Sequence, residues 1–159
     1  MKKLTAILMT LCLLAGLPVL AAAEAETEET ETPATLLDIV RGKIEDAADL
    51  VVMTEDDLFD IIGIDPADCE DFVYLAAEDA LSGRELVVVI AKDEETAALA
   101  EEMLQHYLES RMRETRNYLP DAYQALSEAK VVRVGLCVIL SVAAPGENDA
   151  DVLLKLSEE

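Results

Sequence analysis

His106 is the only histidine in the chain, and Glu102 and Glu109 stand four residues before it and three after it. On a helix these three share one face and could offer a metal ion three ligands. There is no second histidine to build a nitrogen-rich site, and glutamates at helical spacing commonly form a solvated face, so no metal is assigned. Ser110 lies one turn from His106. A serine–histidine nucleophile, however, needs a sharp exposed turn and oxyanion donors, and no glycine-rich elbow supplies them here. The densest acidic stretches, "DPADCED" from Asp65 and "NDAD" from Asn148, lack the alternating Asp/Asn pattern with a central Gly and a distal Glu that defines a calcium loop. Turn and cap roles account for Asp65, Asp68 and Asp149, and a weak cation-binding domain is kept as an alternative.

The other candidate chemistry is cationic and aromatic. Arg111, Arg113 and Arg116 lead into "RNYLPDAY", residues 116–123, which sets Tyr118 and Tyr123 around Pro120. Arg111 and Arg113 differ by about 200° around a helix and cannot share a face. Arg116, Tyr118 and Tyr123 form a candidate contact for an anion or a peptide. The competing reading is structural: the arginines complement a helix dipole, and both tyrosine rings are at least half buried against the strands with their hydroxyls wet. On that reading Tyr118→Ala costs about 2–4 kcal/mol, and Arg113→Ala costs less than about 0.5 kcal/mol.

Periodicity shows which elements position these residues. Leu36, Ile39, Val40, Ile44 and Ala47 are spaced as one helical face within 35–50. Thr54 followed by Asp57 resembles a capping box for a short helix that presents Leu58, Ile61 and Ile62, and Gly63 ends it. "CEDFVYLAAE" and "ELVVVIAK", joined by "DALSGR", predict a hairpin. "KVVRV" and "LCVILSVAA", split by Gly135, predict either a second hairpin or one bent strand. Three of these four runs are continuously apolar, which predicts a sheet covered on much of both faces.

Between the strand pairs, a long helix is expected from Asp93 to Leu119. Its apolar stripe is Ala97, Ala100, Met103, Leu104, Tyr107, Leu108 and Met112, and Glu109 and Arg113 are placed to pair. Leu119 precedes Pro120, so the helix should stop near Tyr118, and Pro120 can open a short helical turn. A last helix is expected over 148–156. The predicted fold is a single α+β domain: a mostly antiparallel four-stranded sheet, one long helix packed on it, and shorter flanking helices.

Residues 1–23 have the layout of a signal peptide: Lys2 and Lys3, an apolar run from Leu4 to Leu20, then Ala21, Ala22 and Ala23. An uncleaved anchor is the alternative, because Leu4 to Ala23 is long enough to span a bilayer. Gly16, Pro18 and the alanines favour cleavage. Residues 24–33, "EAETEETET" closed by Pro33, hold too little apolar surface to offset ordering and read as an acidic disordered linker. Residues 34–159 suit one domain. The mature chain is thus expected to be secreted or extracytoplasmic, soluble, and without a transmembrane helix. The full sequence has 34 acidic against 12 basic residues and a net charge of −22, and such a surface repels nucleic acid and anionic lipid and attracts cations and basic proteins. Once the leader with Cys12 is removed, Cys69 and Cys137 either form one disulfide or remain buried thiols.

"IGIDPADCEDFVY", "ELVVVIAKDEETA" running into the long helix, "YLPDAY" after its arginine-rich end, and "KVVRVGLCVILSV" occur in that order over roughly residues 50–142. Together they resemble the bacterial exported family termed domain of unknown function 4358. The resemblance implies an extracytoplasmic protein of Gram-positive type bacteria, frequently lipid-anchored, with no assigned chemistry. Leu11 directly before Cys12 departs from the small residue that lipid attachment requires.

The resulting expectation is an exported, acidic, non-catalytic binding or interaction module, without a cofactor, whose partner is an unknown protein or peptide at the cell envelope. The alternative is an extracytoplasmic enzyme working through a carboxylate acid/base pair. Two facing acids in a cleft, one with a raised pKa, would favour the enzyme. An exposed aromatic patch would favour the module.

Overall fold

The computed structural model describes residues 34–79 and 81–143. The leader, the acidic linker and the helix expected over 148–156 lie outside the described residues. Five strands, β1 (Val51–Val52), β2 (Cys69–Ala76), β3 (Glu85–Ala91), β4 (Lys130–Val134) and β5 (Cys137–Val142), form one sheet in the order β1-β2-β3-β5-β4. Every neighbouring pair is antiparallel. The expected four strands are corrected to five. The added strand is Val51–Val52, which pairs with Ala76 and Leu75 and is too short to show any period of its own.

Strand alternation sorts the side chains into two cores. Val87, Val89 and Ala91 of β3 join Tyr74 of β2 and Val138, Leu140 and Val142 of β5 on one face. Leu86 and Val88 join Val73, Leu75 and Ile139 on the other. Both faces are covered, as the continuously apolar runs require. Helices α3 (Glu94–Thr115) and α4 (Pro120–Glu128) cover the first face, and α1 (Leu36–Lys43) covers the second through Val40. The same parity decides the cysteines. Cys69 faces the first core while Cys137 packs against the second, with β3 between their strands. Both are free thiols, and burial raises the pKa of each.

The first helical stretch is shorter than its periodicity predicts. Ile44 takes an extended conformation after Lys43, and a 3₁₀ turn, Glu45–Asp49, carries Ala47 and Leu50 back to the core. The capping box at Thr54 forms as expected: its hydroxyl accepts from Asp57 N at 3.2 Å, and the Asp57 carboxylate accepts from Thr54 N at 2.8 Å. From there α2 (Glu55–Asp57) runs into a π-helical turn, Leu58–Ile62, closed by Gly63 at φ 93°. Gly83 in the β2–β3 connection also needs a left-handed φ, 67°, and a Cβ there would lie 3.0 Å from Ala122 Cβ of α4. Only glycine lets that loop rest so close to the helix.

Asp93 caps α3 by accepting from Thr96 N at 2.8 Å. Ala97, Ala100, Leu104 and Tyr107 are buried along it. The helix ends at Thr115, short of Tyr118. The Thr115 hydroxyl donates to Arg111 O at 2.8 Å, and Tyr118 N and Leu119 N both donate to Thr115 O. Pro120 then opens α4. Among the described residues, no helix is long and apolar enough to cross a membrane.

Candidate functional site

Two surfaces flank the C-terminal half of α3, and the arginines divide between them. Arg113 and Arg116 line a depression of about 240 Å³ with Glu109, Met112 and Tyr123. Arg111 lines the larger groove, about 620 Å³, with Ile61, Leu99, Glu102, His106 and Glu114 among its walls. The separation of Arg111 from Arg113 follows from their angular offset.

Two of the three residues singled out at the corner, Arg116 and Tyr123, meet in the smaller depression. Tyr118 does not line it, and its expected burial is overturned: it is 82% exposed. The cause is the early end of α3. Tyr118 follows Tyr107 by eleven residues, close to three helical turns, so a continuous helix would have carried it to the same buried face. The turn after Thr115 swings it into solvent. Tyr123 is half-buried. Glu109 and Arg113 do not form the expected ion pair; among the described residues, the ion pairs that involve α3 are Arg111–Glu85, Arg133–Glu94 and Arg133–Glu101.

The residues weighed for metal and nucleophilic chemistry are separated in the same way. Glu102 and His106 line the groove, whereas Glu109 faces the smaller depression. Among the described residues, no group of three His, Cys, Asp or Glu is placed to hold a metal ion. The Ser110 hydroxyl donates to Glu114 Oε1 at 3.4 Å.

Beneath the groove lies a polar cluster that the sequence analysis missed. Glu85 is 4% exposed at the first position of β3. Tyr107 OH donates to its Oε2 at 2.7 Å, and the Tyr74 and Tyr107 hydroxyls are 3.5 Å apart. Arg111 Nε stands 3.7 Å from Glu85 Oε1, too far for a good hydrogen bond, and both atoms are buried without one. Burial pushes the Glu85 carboxyl above its ordinary range, against the Tyr107 hydrogen bond and the Arg111 charge. Burial, reinforced by the Glu85 charge, raises the Tyr107 phenol strongly, so that hydroxyl is a fixed proton donor. One signal was available: Glu85 shares strand parity with Val87 and Val89, which turns its side chain under α3, and Tyr107 and Arg111 lie one turn apart above it.

These features define an α+β domain with an antiparallel sheet covered on both faces and two surface depressions along one long helix. A family model described as "Domain of unknown function (DUF4358)" matches residues 43–143, and the chain belongs to that family. Compared with curated proteins and with solved structures, the chain matches none.

Proposed function

We propose that the chain is an exported, non-catalytic binding module that meets a protein or peptide partner at the cell envelope through the corner formed by Arg116, Tyr118 and Tyr123. The observation that carries this reading is the exposure of Tyr118, 82%, two residues after Arg116, itself exposed. A tyrosine ring offers a large contact area at low entropic cost, and an arginine grips carboxylates in a two-pronged hydrogen bond. Tyrosine and arginine together are the residues most enriched at the energetic centres of interfaces. The partner segment therefore carries a carboxylate. Export is supported by the leader-like pattern of residues 2–23.

Glu85 is the one carboxyl of the cluster with a raised pKa, and it faces Tyr107 and Arg111 instead of a second acid. That arrangement supports a structural role for it and lends nothing to a carboxylate pair in catalysis.

The test is a photo-cross-linker placed at position 118, used in the native envelope with and without Arg116→Ala. A discrete cross-linked species that fades in the Arg116→Ala background supports the corner. Equal capture in both backgrounds refutes it.

A further inference from the structure

The groove between α3 and the π-helical turn has a chemistry opposite to that of the corner. Its apolar side is Ile61, Ile62, Leu99 and Met103, of which Ile61 is 45% and Leu99 48% exposed. Two half-exposed aliphatic side chains lining one depression leave apolar surface that a partner can cover. Its acidic residues are Glu102 and Glu114, both exposed. Twelve residues apart on α3, they stand about 18 Å from one another along the helix axis at 1.5 Å per residue. Arg111, which also lines the groove with its Nε 3.7 Å from Glu85 Oε1, offsets at most one of the two. The charge presented to an incoming ligand is therefore negative, and the chain's net −22 steers cations towards it.

We propose that this groove binds a cationic amphipathic segment of a partner protein. Apolar residues on one face of that segment cover Ile61 and Leu99, and Lys or Arg residues about three turns apart reach Glu102 and Glu114. This is the helix-in-groove mode of recognition, in which an apolar stripe gives affinity and flanking charges set register. Anionic lipids and acidic peptides are repelled by the same two glutamates. The site is separate from the corner: it shares no lining residue with the Arg113–Arg116 depression, and each can fail while the other holds.

The experiment titrates the purified chain into a fluorescein-labelled fourteen-residue amphipathic peptide of leucine and lysine, read by anisotropy. One control peptide replaces the lysines by glutamate and another replaces the leucines by serine. The expected result is saturable binding of the leucine–lysine peptide alone, weakened about tenfold, roughly 1.4 kcal/mol, by Ile61→Ser with Leu99→Ser. Glu102→Gln with Glu114→Gln weakens it and flattens its dependence on salt, while Glu78→Gln with Glu128→Gln, both exposed and outside either depression, leaves it unchanged. Because every altered side chain is exposed and lies off the buried network, circular dichroism should show every variant folded. The proposal is overturned by unsaturable binding, by equal binding of the serine peptide, or by the same loss in the Glu78/Glu128 variant as in the groove variants. The first two outcomes would mark the attraction as diffuse electrostatics.

Discussion

Tyr107 and Tyr118 belong to one chain segment and nearly one helical phase, yet Tyr107 is 9% exposed and Tyr118 82%. Their neighbouring arginines divide likewise: Arg111 turns inward to Glu85, while Arg113 and Arg116 border an open depression. Residue type and periodicity are the same in both regions. The difference lies in three residues of turn after Thr115. Up to that point the helix holds each side chain against the sheet at a fixed angle; beyond it, the chain is aimed by local hydrogen bonds. The inner region therefore carries stability, and the outer region is free to carry recognition.

The largest effect should come from the inner region. Tyr107→Ala removes a buried ring and the hydroxyl that donates to Glu85 at 2.7 Å, and should cost about 3–5 kcal/mol in a urea melt, in the range for deleting a large core side chain. A cost below about 1 kcal/mol would mean that the ring has no packing role beyond that of a surface residue.

The fold was legible wherever a period or a cap ran over enough residues to speak for itself. The Thr54–Asp57 box, the glycine stop at Gly63, the β2–β3 hairpin and the Pro120 helix start all form as read. Gly135, which left two readings open, sits in a hairpin turn at φ 58°, with Val134 and Cys137 paired across it. Val51–Val52 was illegible because two residues have no period, and its partners lie more than twenty residues away. Of the corner, Arg116 and Tyr123 were found together, while the exposure of Tyr118 depended on where α3 stops. Glu85 is illegible from its own position because a charged residue at the edge of a strand normally belongs to the turn. Its burial follows only when strand parity and helix phase are read together.

The second effect tests what Arg111 does for Glu85. Arg111→Met keeps most of the aliphatic stem but leaves a carboxyl that is 4% exposed without its cation. Because Arg111 is itself 29% exposed and its contact is 3.7 Å, the loss should be about 1–3 kcal/mol, that of an unsatisfied buried group, below the cost of breaking a fully buried pair. A melt equal to that of the unaltered chain would show that the contact is incidental.

A third measurement uses pH. Burial raises the folded-state pKa of Glu85 above its ordinary value of 4.5, so the native state keeps a proton that the unfolded chain has already released. The stability linked to that proton is full below the unfolded value and is lost as pH rises through the folded value. Glu85→Gln is neutral at every pH. The stability of the variant relative to the unaltered chain should therefore improve as pH is raised from about 4.5 towards neutrality. Movement in the opposite direction would mean that the charge of Arg111 outweighs burial and that Glu85 is ionised in the fold.

The smallest effect on stability is expected at the outer region, and there the comparison is most exposed to failure. Tyr118→Ala removes a ring that is 82% exposed and lines neither depression, so its urea midpoint should match that of the unaltered chain to within about 0.5 kcal/mol, as for surface changes generally. Arg113→Ala should fall in the same range, since the side chain makes no ion pair among the described residues. If the corner is a recognition surface, Tyr118→Ala should nonetheless lower affinity for a captured partner by about thirtyfold or more, the scale of an interface hot spot. Loss of affinity without loss of stability separates the outer region from the inner one. A midpoint shifted by 2 kcal/mol or more, the scale of a deleted core side chain, would instead put the Tyr118 ring back in the core and return the corner to a purely structural part of the fold.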